Sequence, residues 1–198
     1  MNKSILVLFI ISLNVFLTQA QYNHHEIGVE VQAASFSTHG GTVGGALKYA
    51  FVEEEALAFG PSVRFQYIWS KNTYLGTQGS SFTWGAGGFL HYRFMEWFYL
   101  GAEVEYLKNP YANYHFSDRK WTLTAFLGGG ISKEFGPVRL NVGLLYDLVD
   151  GLSDPHTTNP SPLSRDYFIK VSNPEKPNFG RYIPIIYRFA LFIPINKR

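Results

Sequence analysis

His115 and Ser117 stand two residues apart in the chain of 198 residues, with Asp118 beside them. A histidine base within reach of a serine hydroxyl, steadied by a carboxylate, can drive acyl transfer through a covalent intermediate. The neighbours argue otherwise. Asn109, Pro110 and Asn113 are turn formers that place the pair in or near a loop, and Glu134 belongs to the far end of the strand that follows. The chain is therefore read as non-enzymatic, with His115 and Ser117 as the alternative catalytic pair. His24, His25, His39, His91 and His156 share no metal-ligand spacing, so no metal is expected. No cofactor is expected either: the glycine-rich stretches 85–88 and 128–130 lack the Lys-Ser or Lys-Thr that follows a phosphate-binding loop.

The charges carry more information than the histidines. Glu30, Lys48, Arg64, Arg93, Glu103, Glu105, Arg139, Asp147 and Arg188 recur among glycines, alanines and small polar residues, in alternation with apolar ones. They are nearly balanced in sign, so a closed interior can pair them. Such a set reads either as an ion pathway or as a plug of salt bridges. The plug is the expectation, because eight strands enclose a space that side chains fill.

Eight segments alternate in this way, and none carries a helical stripe. They run from Glu26 to Phe36, Thr42 to Phe51, Leu57 to Trp69, Phe82 to Phe94, Phe98 to Tyr106, Trp121 to Ser132, Val138 to Asp147 and Arg181 to Ile193. Connections alternate between short ones, Val52 to Glu55, Met95 to Trp97 and Lys133 to Pro137, and longer ones beginning near Trp69, Lys108 and Leu148. The connection from Ser37 to Gly41 is short although it belongs by order to the long set. An all-β, eight-stranded antiparallel up-and-down transmembrane barrel follows, with tight turns at one end and long loops at the other. Tyr67, Trp69, Phe82, Trp84, Tyr106, Trp121 and Tyr146 gather toward the loops, and Tyr49, Phe51, Tyr92, Phe94 and Phe98 toward the turns. Two interfacial girdles account for that clustering.

The ends and the composition agree with this reading. Lys3, an apolar run from Ile5 to Phe16, and small residues Thr18 and Ala20 form a secretory signal peptide over 1–20. That leaves 21–198 as one barrel domain, beginning with Gln21 and so offering no cysteine for a lipid anchor. There is no cysteine anywhere, and the net charge is +2. Disulfides and thiolate sites are excluded, and nothing favours nucleic acid as a partner. The long final loop, 148–180, holds five prolines around Asp166 to Val171. Within it Tyr167, Phe168 and Ile169 are the interaction candidates. Their plainer alternative is a strand extension packed on the loop after Trp69.

With its alternating segments, its signal ending at Ala20 and stretches such as Gly85-Ala86-Gly87-Gly88-Phe89-Leu90-His91-Tyr92-Arg93-Phe94, the chain resembles the small eight-stranded outer-membrane β-barrel superfamily. That superfamily includes the OmpA transmembrane domain and OmpX-like proteins, and the Bacteroidetes barrels are the nearest in character. The resemblance covers Gln21 to Arg198 and departs at the end, where Ile193-Pro194-Ile195-Asn196-Lys197-Arg198 replaces a terminal aromatic. It implies an outer-membrane location with both ends of the mature chain in the periplasm. The implied partners are outer-membrane lipid, lipopolysaccharide, and other outer-membrane or periplasmic proteins. His115-Phe116-Ser117 also resembles lipid A deacylase barrels, although Asp118 stands where that family has Asn. The expected function is a scaffold or accessory subunit of an envelope assembly; the alternatives are a lipid A hydrolase and a narrow channel for small solutes.

Overall fold

The computed structural model describes residues 24–33, 40–72, 77–108, 121–152, 169–170 and 182–195. Strands β1 (His24–Ala33), β2 (Gly40–Glu53), β3 (Leu57–Asn72), β4 (Thr77–Phe94), β5 (Phe98–Lys108), β6 (Trp121–Phe135) and β7 (Val138–Asp147) follow in order. A one-turn helix α1 (Leu148–Gly151), two short strands β8 (Ile169–Lys170) and β9 (Tyr182–Ile183), and a last strand β10 (Ile185–Ile195) complete the described elements. The closed barrel runs β1-β10-β7-β6-β5-β4-β3-β2, all antiparallel. Closure leaves no unpaired edge.

The registers set the shape of the barrel. Tyr187, Leu144, Gly129, Leu100, Tyr92, Leu57 and Glu53 face one another in turn across seven strands. Continued one step at either end, this row meets β1 at two points about ten residues apart, so the strands are strongly tilted and the interior is narrow. Alternation then sends each strand's side chains to two environments. On β5, Tyr99, Glu103, Glu105 and Leu107 are buried, whereas Phe98, Leu100, Val104 and Tyr106 are exposed. Every outward side chain among the described residues between Lys133, near the turns, and Lys108, near the loops, is uncharged. Leu47, Leu100, Leu127 and Leu144 are each more than half exposed. Aromatic contacts gather at the two heights: Trp84, Tyr106 and Trp121 toward the loops, and Tyr49, Phe51, Tyr92, Phe94 and Phe98 toward the turns.

Turn chemistry explains the compact end. Glu54 and Glu55 (φ 49° and 60°) and Met95 and Glu96 (φ 53° and 60°) are consecutive left-handed pairs, and Ala56 N donates to Glu53 O at 3.1 Å. Two such residues in succession make the tight turn whose twist matches the strands it joins. The β6–β7 turn is Gly136-Pro137, with φ +60° at Gly136.

Several boundaries differ from the sequence reading. β1 begins at His24, because the inward parity of Gly28 and Glu30 continues through Glu26 to His24. The connection near Trp69 is no long loop: β3 pairs with β4 as far as Asn72 opposite Thr77, and with β2 as far as Ser70 opposite Gly40. β6 runs on to Phe135, leaving two residues for its turn. In the last long connection, Asp147 starts α1, and Ile169 and Lys170 pair with Ile183 and Tyr182. That segment thus pairs with the foot of its own loop. Pro184 interrupts the last strand, since it has no N–H to offer, yet its carbonyl accepts from Asp147 N at 2.8 Å.

Candidate functional site

The inward faces of β1, β2, β3, β5 and β10 bring six charges to mid-barrel. Lys48 Nζ lies 2.7 Å from Glu30 Oε2 and 2.5 Å from Glu103 Oε1. Arg64 reaches Glu30 Oε1 through Nη2 at 2.5 Å and Glu105 Oε1 through Nε at 2.6 Å. Arg188 touches the same three carboxylates, at 3.3 Å from Glu30, 3.7 Å from Glu103 and 3.2 Å from Glu105. Gln32 Oε1 accepts from Nη1 of Arg64 and of Arg188, at 3.1 and 2.7 Å. Three cations therefore meet three carboxylates, all at most 3% exposed. Burial this deep is sustainable only because each charge has several opposite partners.

Aromatic rings cap the cluster. Toward the turns, Phe89 and Phe192 pack with Ala50, Val52, Ala58 and Ala190, and Lys48 Nζ sits 5.0 Å from the Phe89 ring centre. His91 lies among Phe89, Tyr99 and Phe192 at centroid distances of 5.0, 4.9 and 5.9 Å, with Nε2 3.2 Å from Glu103 Oε1. A second apolar group, Phe126, Leu145 and Ile186, covers another side, and the Arg188 guanidinium lies 5.0 Å from the Phe126 ring centre. Glycine in the wall makes room for these rings: a Cβ on Gly28 would stand 2.6 Å from a Phe192 ring carbon.

The remaining predicted charges settle elsewhere. Arg93 binds Glu26 through both terminal nitrogens, at 2.5 and 3.1 Å, near the turns, and His24 joins at 3.2 Å. Arg139 holds Glu134 at 2.9 Å and donates to Ser132 Oγ at 3.3 Å. Asp147 does not enter the central cluster; as the last residue of β7 it caps α1, its Oδ1 accepting from Val149 N and Asp150 N at 3.1 Å each. His115, Ser117, Tyr167 and Phe168 lie outside the described residues, and Ile169 is placed as part of β8.

Sequence reasoning put Gln32 on the face of Glu30 without giving it a role, passed over Glu26 and His24, which share that parity, and grouped Phe89, Tyr99, Phe126 and Phe192 with neither face. Parity alone assigns all of them inward. Among the described residues no group of three or more His, Asp or Glu suits a metal ion, and every central charge is engaged by others. The arrangement ties five strands of the wall together through ion pairs. Comparison with known protein families, with curated proteins and with solved structures gives no match.

Proposed function

We propose that the chain is a small outer-membrane barrel of the OmpA-transmembrane-domain and OmpX-like type, in its Bacteroidetes form, serving as a non-enzymatic scaffold or accessory subunit of an envelope assembly. The observation that carries this reading is the interior. Three carboxylates and three cations pair with one another beneath a cap of buried phenylalanines, which favours a rigid wall over a path or a reaction chamber. An outward surface free of charge over the middle of the barrel supports the lipid setting, since Arg or Lys facing lipid at mid-depth costs about 2–4 kcal/mol. With the inside filled, the parts free to act on other molecules are the two ends and the outer wall. The fold by itself leaves the task open, so the test is one of company. The tagged protein is extracted from native outer membranes in gentle detergent and passed through size exclusion, and what stays bound is identified by mass spectrometry. A stoichiometric companion is expected; a barrel that travels alone counts against a stable assembly.

A further inference from the structure

At the turn end a depression of about 480 Å³ opens between the β2–β3 and β4–β5 turns and the β6–β7 hairpin. Arg93 and Arg139 line it, 6% and 8% exposed. Their terminal nitrogens are held by Glu26 and Glu134. At the rim Glu54 and Glu96 are exposed on left-handed turn residues. Between rim and floor, Met95 (78% exposed) and Trp97 (49%) offer an apolar step, and Lys133 is drawn over the Trp97 ring at 3.8 Å.

We propose that this depression is a docking site for a basic peptide segment of a soluble partner protein. A Lys or Arg side chain of the segment lies over Glu54 and Glu96, with its aliphatic stem along Met95 and Trp97. Charge decides the sign of the occupant. The two buried arginines are matched by Glu26 and Glu134, so the exposed carboxylates at the mouth outweigh Lys133 and an anionic ligand meets repulsion on entry. Chemistry decides its kind. A bare cation gains nothing from the exposed Met95 and Trp97, whereas a basic peptide can lay an aliphatic stem on them.

The site deepens the scaffold reading by naming where a partner meets the barrel. The test uses the full chain in detergent micelles at low ionic strength, with fluorescein-labelled pentalysine followed by fluorescence anisotropy. Saturable binding is expected, weakening as salt rises. It should fall at least tenfold in Glu54→Asn/Glu96→Asn, which retains a side chain suited to the left-handed backbone, and stay within twofold in Asp150→Asn at the opposite end. Unchanged binding in the double variant, or tighter binding of pentaglutamate than of pentalysine, overturns the proposal. Its failure and that of the scaffold reading are distinguishable. A companion retained equally by the double variant keeps the assembly and removes this site; a solitary barrel that binds pentalysine keeps the site and removes the stable assembly.

Discussion

Arg64 spans from β3 to carboxylates on β1 and β5, while its Nη1 donates to Gln32. Removing it leaves Glu30, Glu103 and Glu105 facing only Lys48 and Arg188 in a space that water does not reach freely. Breaking one member out of a buried ion cluster costs about 3–5 kcal/mol, because the uncompensated charge stays behind. Arg64→Met is therefore expected to lose about that much in urea unfolding of the refolded barrel, followed by tryptophan fluorescence; a loss under 1 kcal/mol would show that the cluster does not bear on stability. How far this residue scale was legible is clear from individual positions. Arg64, Lys48 and Glu103 were assigned inward from parity and charge. Asp147 has the same parity, but it ends its strand, and the N–H groups of Val149 and Asp150 in the helical turn compete for it. Arg93 and Arg139 point inward as read; which carboxylate each meets depends on the stagger of the strands, and residue spacing along one strand does not encode that.

At the scale of elements, alternation fixes which side each strand turns to the outside, and the pattern was readable for every strand of the barrel. Turn and loop lengths were less so. β3 and β4 go on pairing to Asn72 and Thr77 because a hairpin stays in register after its outward face has left the apolar band, so the end of an apolar pattern is not the end of a strand. The β8–β9 ladder takes Tyr182 and Ile183, read as the start of the last barrel strand, into a separate pair with Ile169 and Lys170, because Pro184 breaks the run and alternation does not say which partner a segment meets. The apolar band supplies its own test. Leu144 sits mid-strand on β7 and is 53% exposed. In a lipid setting Leu144→Arg is expected to destabilise the barrel by about 2–4 kcal/mol in bilayers and to lower its yield in the outer membrane. If the barrel were a water-soluble one, the same change would raise solubility and leave stability within about 0.5 kcal/mol.

For the molecule as a whole, the packed interior predicts silence. Purified protein in a planar bilayer is expected to show no discrete conductance steps at moderate voltage in molar salt. Regular steps would mean that the ion cluster opens as a path and would displace the scaffold reading with a channel. Shape and content are linked here: a stagger of about ten residues makes the interior narrow enough that six charged side chains and a few rings fill its middle.

The closing ladder, in which His25 stands opposite Ile195 and Val31 opposite Phe189, bears on how the chain is checked as it is made. β10 is the last barrel strand to be synthesised, and it brings Arg188 and Phe192 to the centre. Until it docks, Glu30 and Glu105 lack one of their cations, and the hollow beside Gly28 has no ring to fill it. A chain that stops short thus carries excess negative charge and a gap at its heart, while its earlier hairpins are already able to pair. Completion is thus registered in the core itself: the ion cluster and the ring beside Gly28 are whole only once β10 is in place.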